Sequence, residues 1–170
     1  GSPINRGILI ADGSVFALTE AGRVHRVNPA TMTAEWVYDS GATAANGTGL
    51  AYSATRHVIL FGGDDLNVHA IRSADGTRQW RVKPSPNTPG FPNQFMMNWP
   101  VVAEVNGLVI VRMQLSHPDH LWDFPRVQNN TEARDYLAAN PSAQNVFALD
   151  LDDGAKAFLP KSADSSRIRS

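Results

Sequence analysis

The sequence predicts an all-β fold, and three observations favour it. Thirteen glycines and eleven prolines interrupt the 170-residue chain, which argues against long helices. Short β-branched and apolar runs alternate with turn pairs such as Asp12-Gly13 and Asn106-Gly107, as in antiparallel hairpins. A 13-residue pattern that opens on Val and closes on an aromatic residue occurs three times. One repeated β unit is therefore the favoured interpretation.

The composition excludes several classes of protein. Fifteen basic and sixteen acidic residues give a net charge of -1, so no global field attracts nucleic acid or an anionic membrane surface. Because the chain has no cysteine, it contains no disulfide, thiolate metal site or cysteine nucleophile. Its apolar runs, of about five residues at most, are far shorter than the roughly 20 of a membrane helix. We expect neither a nucleic-acid partner nor a membrane span.

Each repeat contains three short runs that predict strands. The first run is apolar and occupies residues 7–11, 49–53 and 100–104. The second is rich in β-branched residues and occupies 15–18, 58–61 and 109–112. The third alternates apolar and polar positions and begins at Val24, Val68 and Val146. A turn and a closing aromatic residue complete a unit of four short antiparallel strands.

The spacing of the closing aromatic residues locates two insertions. Trp36 and Trp80 are 44 residues apart, whereas Trp80 and Phe158 are 78 residues apart. One insertion falls between the second and third repeats, and the larger one, 114–145, separates the second and third strands of the third repeat. The single segment 1–170 then divides into repeats at about 3–40, 46–84 and 99–160.

A repeated four-stranded meander of about 40 to 45 residues is the sequence form of a β-propeller blade. A β-sandwich of unrelated strands is the alternative, which the equal lengths of the three segments disfavour. Propeller rings have typically four to eight blades, so three blades leave two flanks unpacked. We expect a part of a longer propeller; two copies that complete one ring, or a tail that covers the open side, are the alternatives.

The closing units resemble the repeat of the pyrroloquinoline-quinone-type propellers, the tryptophan-docking motif Ala-x-Asp-x-x-Thr-Gly-x-x-x-Trp. The matches are Ala148, Asp150, Asp153, Gly154 and Phe158 in repeat three, Ala70, Arg72, Asp75, Gly76 and Trp80 in repeat two, and Arg26, Asn28, Thr31, Met32 and Trp36 in repeat one, which departs most. The resemblance implies that the turn ties the last two strands together and that the aromatic ring packs onto the neighbouring blade. The residues expected to dock blades are Trp36, Trp80, Phe158, Gly76 and Gly154.

The resemblance also implies where a cofactor would bind. In enzymes of this family a quinone stacks on a tryptophan at the ring centre, beside a calcium ion held by acidic and amide side chains. Trp99 precedes a predicted strand and is the candidate stacking ring, with Asn98 and Glu104 as candidate oxygen ligands. The favoured alternative is that Trp99 fills an interface between blades. No motif in the chain assigns a catalytic residue or a metal site.

The insertion is the least explained stretch of the sequence. His117, Asp119, His120 and Trp122 stand close together near its start, and imidazole and carboxylate groups bind transition metals. Nearby prolines predict an extended path that does not bring such ligands together, so the favoured interpretation is a polar surface loop with Trp122 and Phe124 packed on the blade. The alternative is that the same residues form part of the lip of a ligand-binding surface.

A short helix is predicted later in the insertion, over 131–139. Thr131 is a possible N-cap, and Asn140-Pro141 ends the helix.

Two functions from different classes are compatible with these features. The first is a non-catalytic binding or scaffold segment that uses blade loops for a protein or small-molecule ligand and needs no cofactor. The alternative is a fragment of a dehydrogenase that oxidises an alcohol or sugar with pyrroloquinoline quinone and calcium. The absence of cysteine and of a convergent acidic cluster favours the first. The resemblance implies a periplasmic or secreted location, with further blades or a second copy of the chain as partner.

Overall fold

The computed structural model describes residues 4, 7–44, 48–86, 95–97, 100–115 and 129–157. The described residues form three antiparallel sheets, which correspond to the three repeats. Blade 1 contains β1 (Gly7–Ala11), β2 (Ser14–Leu18), β3 (Arg23–Asn28) and β4 (Thr33–Asp39), paired in that order. Blade 2 contains β5 (Ala51–Ser53), β6 (Val58–Gly62), β7 (Val68–Arg72) and β8 (Arg78–Val82), again in order.

Blade 3 departs from the regular meander. It contains β9 (Phe95–Met97), β10 (Val101–Ala103), β11 (Leu108–Leu115) and β12 (Val146–Asp150). Both β9 and β10 pair with β11, in nearly continuous register. Together they take the place of the single first strand, β1 or β5, of the other two blades. Where the fourth strand is expected, the described residues show a bridge between Leu149 and Lys156 and a bond from the N–H of Ala157 to the carbonyl of Ala148, and Phe158 lies outside the described residues.

Three helical segments accompany the sheets. Two are single 3-10 turns, Glu104–Asn106 and Pro141–Ala143. The third, α1 (Asn130–Ala139), is the helix expected in the insertion, and Asn140 ends it. Its N-cap is Asn129, not Thr131: the Asn129 side chain accepts from the backbone N–H groups of residues 131 and 132. Among the described residues, we find no helix with the length and apolar character to cross a bilayer.

Cross-strand register assigns the side chains of each blade to two flanks, because neighbouring side chains on a strand point to opposite faces. The front flank faces the next blade, and the rear flank faces the preceding one. The front-flank rows are Leu9–Phe16–Arg26–Trp36 in blade 1 and Ala51–Leu60–Ala70–Trp80 in blade 2. β6 is buried on both faces because blade 2 lies between the other two.

The hydrophobic core consists of two clusters, one at each contact between blades. In the first, Phe16, Leu18 and Val24 of blade 1 pack with Ile59, Phe61 and Ile71 of blade 2. In the second, Leu60, Val68 and Trp80 of blade 2 pack with Val109, Val111, Phe147 and Leu149 of blade 3. The stability of each blade therefore depends on its neighbour, as expected for repeat architectures.

The same tryptophan–glycine contact joins both pairs of blades. The indole N–H of Trp36 donates to the backbone carbonyl of Ser73 at 3.2 Å, and that of Trp80 donates to the carbonyl of Leu151 at 2.9 Å. Each ring lies against a turn glycine of the next blade: a Cβ added at Gly76 would lie 2.7 Å from Cε3 of Trp36, and one at Gly154 would lie 2.9 Å from Cε3 of Trp80. Glycine is therefore required for contact with the ring as well as for the positive φ of the turn.

Alanine at Gly76 should destabilise the chain more than alanine at Gly41. Both glycines have φ near +75°, but Gly41 has no atom within 4 Å of an added Cβ. Gly41→Ala should therefore cost about 1 kcal/mol from backbone strain alone. Gly76→Ala adds a clash with Trp36 and should cost about 2 kcal/mol more. Urea unfolding of both variants measures the difference, and equal losses would contradict the proposed ring contact.

Candidate functional site

The two ends of the blades have different structural roles. In a four-stranded meander, the first and third connections lie at one end, and the second connection lies at the other with the connection to the next blade. The end with the first and third connections is called the turn side, and it contains residues 12–13, 54–57 and 104–107. The other end is called the loop side, and its described residues include 19–22, 40–44, 48–50, 63–67 and 129–145.

Backbone hydrogen bonds fix the loop side across blades 1 and 2. The N–H of Ala44 donates to the carbonyl of Glu20 at 3.0 Å, and the N–H of Asp64 donates to the carbonyl of Thr43 at 3.0 Å. Ala44 also forms a bridge with Gly63, and the Thr43 hydroxyl donates to the Asp64 carboxylate. The segment 40–44 is thus held to a loop of each blade.

A buried histidine lies at the contact between these blades. His69 is completely buried; its ring is stacked on Phe61 with centroids 4.9 Å apart, and its Nδ1 is 3.0 Å from the Tyr38 hydroxyl. Burial lowers the pKa of His69 to about 4; Asp65 opposes the shift, and the Arg81 and Arg78 cations add to it. The imidazole is therefore uncharged at neutral pH.

The second nitrogen of His69 has no hydrogen-bond partner among the described residues. Gly63 lies close to it, because a Cβ added at Gly63 would lie 3.7 Å from Nε2 of His69 and 2.5 Å from Oδ1 of Asp65. The Asp65 carboxylate also pairs with Arg81 at 2.5 Å and accepts from Asn67. Position 63 therefore has no room for a side chain unless Asp65 moves.

On the turn side, Glu104 joins blade 3 to blade 2. Its carboxylate accepts from the Ser53 hydroxyl at 3.0 Å, from the backbone N–H of Ala54 at 2.6 Å and from the Thr55 hydroxyl. Burial raises the pKa of Glu104, but the hydrogen bonds from Thr55, Ser53 and Ala54 outweigh it and leave the pKa lowered. The carboxylate therefore caps the first turn of blade 2.

A second polar cluster on the turn side joins blades 1 and 2. The Ser73 hydroxyl donates to the Asp12 carboxylate at 2.9 Å, and the Tyr52 hydroxyl is 3.0 Å from Nδ1 of His57. The nearby Tyr52 hydroxyl is the main cause of a lowered pKa at Asp12, while burial and then Asp12 raise the pKa of Tyr52 to about 12. Ser73 is buried and its hydroxyl donates to a carboxylate, so the hydroxyl is not positioned to attack a substrate as a nucleophile.

An apolar cavity of about 410 Å³ separates α1 from the front flank of blade 3. Its lining residues are Ile110, Leu137, Ala143, Gln144, Asn145, Val146 and Ala148. The lining carries no formal charge, so the cavity fits apolar groups.

The structure locates only some of the residues singled out in the sequence. Trp36, Trp80, Gly76 and Gly154 lie in the contacts between blades, and Glu104 lies on the turn side. The residues outside the described ranges are Asn98, Trp99, His117, Asp119, His120, Trp122 and Phe158. Their expected roles stay predictions.

Of the three candidate cofactor ligands, only Glu104 lies within the described residues. Within the described ranges, no group of three or more histidine, aspartate or glutamate side chains is arranged to hold a metal ion. A calcium ion needs about six to eight converging oxygens, and the Glu104 carboxylate is already engaged by three donors from blade 2. No catalytic step can be derived from these residues.

The sequence analysis missed His69, although a signal for it exists. His69 and Ile71 are two residues apart on β7, so strand alternation places both on the rear flank of blade 2. The contact with Tyr38 of blade 1 depends on how the two sheets pack, which alternation does not give.

Lowering the pH should weaken the contact between blades 1 and 2 through His69. The folded-state pKa of about 4 lies below the unfolded value of about 6.5, so the unfolded chain binds more protons between these values. The contribution of His69 is complete above about pH 6.5 and decreases by about 3 kcal/mol as the pH falls to 4. Urea unfolding across this range measures the loss, which His69→Gln should reduce.

His25→Gln is the matched control, because His25 has the same register position in blade 1 but lies on a flank that no described residue covers. This variant should keep the full pH dependence. A wild-type dependence retained in His69→Gln would contradict the role of the buried imidazole.

Two solved structures show the same fold. The quinohemoprotein alcohol dehydrogenase from Comamonas testosteroni matches 92% of this chain and 21% of its own, with a TM-score of 0.59 and 14% identity. A europium-containing methanol dehydrogenase matches 89% of this chain and 23% of its own, with a TM-score of 0.57 and 14% identity. At these identities the likeness concerns the fold alone. The chain spans less than a quarter of the length of either enzyme.

Sequence comparison identifies the family. No curated protein sequence matches the chain. The family model described as outer membrane protein assembly factor BamB matches residues 2–90, just over half of the chain. The chain therefore belongs to this family of pyrroloquinoline-quinone-like β-propeller repeats.

Proposed function

We propose that the chain is a non-catalytic binding segment of a β-propeller and that its loop side is the binding surface. The observation that carries the proposal is the segment 40–44, which is hydrogen-bonded to the loops 19–22 and 63–67 of two blades. These bonds fix the segment and the two loops relative to one another. In blade 3, β11 ends and β12 begins on the same side, and long connections on a rigid scaffold are typical binding elements.

The engagement of the turn-side carboxylates supports a non-catalytic role. Glu104 caps a turn of blade 2, Asp12 accepts from Ser73, and Asp152 pairs with Arg56 at 3.2 Å. A general acid or base must reach a proton on the substrate. These carboxylates instead hold neighbouring blades together.

Family membership favours a protein partner. The family is described as an outer membrane protein assembly factor, so the proposed ligand is an outer-membrane protein and the proposed location is periplasmic or secreted. A small-molecule ligand on the same surface is compatible with the fold. A reporter enzyme that is active only outside the cytoplasm, fused to the full-length protein, tests the location; an inactive fusion would contradict it.

A charge reversal on the loop side should weaken binding of such a partner. The probe is a fluorescently labelled outer-membrane β-barrel protein, diluted from urea into buffer with the chain, and the readout is anisotropy. Asp64→Lys changes an exposed loop-side charge and should weaken binding about fivefold, whereas Asp153→Lys on the turn side should have little effect. Equal effects of the two variants, or no binding at all, would contradict the proposal.

Two further controls make the result specific. Ile10→Asp, on the exposed rear flank of blade 1, shows whether the probe adheres to apolar surface, and it should leave binding unchanged. The alternative function, a quinone-dependent alcohol or sugar dehydrogenase, is tested by adding pyrroloquinoline quinone and calcium and measuring dye reduction with alcohols and aldoses. Sustained turnover above that of the quinone alone would overturn the non-catalytic role.

A further inference from the structure

The buried imidazole of His69 contacts both strands that lead into the fixed part of the loop side. On blade 1 it meets Tyr38, which is two residues before the segment 40–44; Nδ1 is 3.0 Å from the tyrosine oxygen, and the ring centroids are 6.0 Å apart. On blade 2 it stacks on Phe61, which is two residues before the loop 63–67. A change at this ring therefore acts on both segments.

The loop 63–67 is held in a strained conformation. Leu66 has a φ of +65°, in the left-handed region that is unfavourable for any residue with a side chain. Its side chain is fully buried in the core between blades 2 and 3. The Asp65 carboxylate holds the loop through Arg81 at 2.5 Å and through the Asn67 amide at 2.7 Å. The strained backbone persists only while contacts of this kind hold it.

The surroundings of the His69 ring disfavour a positive charge. Among the described residues, the titratable or charged groups that face it are Tyr38 of β4, Asp65 of the loop 63–67, and Arg78 and Arg81 of β8. The neighbour on β6, Phe61, offers only an apolar face. Two cations thus oppose one carboxylate, and that carboxylate is already paired with one of the cations.

A second proton would also give the ring a donor without an acceptor. Neutral imidazole has one donor nitrogen and one acceptor nitrogen, whereas imidazolium has two donors. Nδ1 can donate to the Tyr38 oxygen, but Nε2 has no hydrogen-bond partner among the described residues. Both the charge and the unpaired N–H are relieved when the loop moves and water reaches the ring.

We propose that protonation of His69 releases the loop 63–67, and with it the segment 40–44, so that the loop side is an acid-sensitive switch. In the locked state the N–H of Asp64 donates to the carbonyl of Thr43, and the N–H of Ala44 donates to the carbonyl of Glu20. In the released state both bonds are broken while the three sheets stay folded. The release depends on the chain alone; its role in regulating the binding surface rests on the proposed function.

Amide hydrogen exchange measured by NMR tests the release, with each rate divided by the intrinsic rate at the same pH. The locked ring has a pKa of about 4, below the value of about 6.5 that it regains on release, so the released state gains as the pH falls. Protection of the Asp64 and Ala44 amides should decrease about 20-fold from pH 7 to pH 5. The Leu151 amide, bonded to the carbonyl of Gly107 in blade 3, should stay better protected than both.

Two pairs of variants assign the effect to the buried ring. His69→Gln cannot be protonated and should abolish the 20-fold change, whereas His25→Gln should keep it. Arg81→Gln removes a cation that faces the ring and should reduce the change, even if His69→Gln does not fold. Its control is Arg23→Gln, an exposed arginine that pairs with Asp39 on the loop side of blade 1. Constant protection from pH 7 to pH 5, or a full loss that persists in His69→Gln or Arg81→Gln, would overturn the proposal.

Binding of the labelled outer-membrane β-barrel protein tests the regulatory role separately. If the probe binds only the locked state, its affinity at each pH should fall by the factor by which exchange shows the locked population to fall. His69→Gln should remove this dependence. A probe that binds at neither pH contradicts the proposed function, and the exchange data still decide whether the switch exists. Exchange that does not depend on pH overturns the switch even where the probe binds.

Discussion

The contact between a tryptophan ring and a turn glycine of the next blade is the interaction on which the rest of the structure depends. It fixes both the position and the direction of each blade, because the ring covers Gly76 or Gly154 while the indole N–H donates to a strand-end carbonyl. A single blade has two apolar flanks and cannot bury either alone. The array is stable because each contact between blades buries one flank of both neighbours.

The sequence predicted the parts of this fold that depend on local chemistry. The strand alternation after Val24, Val68 and Val146 and the turn glycines predicted the blades, and the predicted helix was confirmed with Asn129 in place of Thr131 as its cap. Asn129 and Thr131 are both good N-caps, so composition alone could not choose between them. The contacts of Glu104 and His69 could not be predicted, because they are made with a neighbouring blade at a distance set by sheet packing.

The polar side chains at the contacts between blades fix the position of one blade relative to the next. This role changes how an acidic residue in such a repeat should be interpreted. Glu104 was a candidate ligand because its oxygens could hold a cation, and in the structure those oxygens accept hydrogen bonds from the first turn of blade 2. Arg26 acts in the same way at the first contact, where its guanidinium donates to the carbonyls of Ser73 and Ala74. Buried or half-buried backbone groups at blade ends need such partners, since each one left unpaired costs about 1 to 3 kcal/mol.

The position of these contacts between blades explains why a long insertion is compatible with the third blade. Both indole hydrogen bonds and the contacts of Glu104 lie in the strands and on the turn side. The insertion joins β11 to β12 on the loop side, where it can lengthen without changing any of these contacts. Loop-closure entropy grows only slowly with length, so the energetic cost of such an insertion is small. The connection between β11 and β12 can therefore change in length and sequence, while the flanks and turns must keep the geometry of the blades.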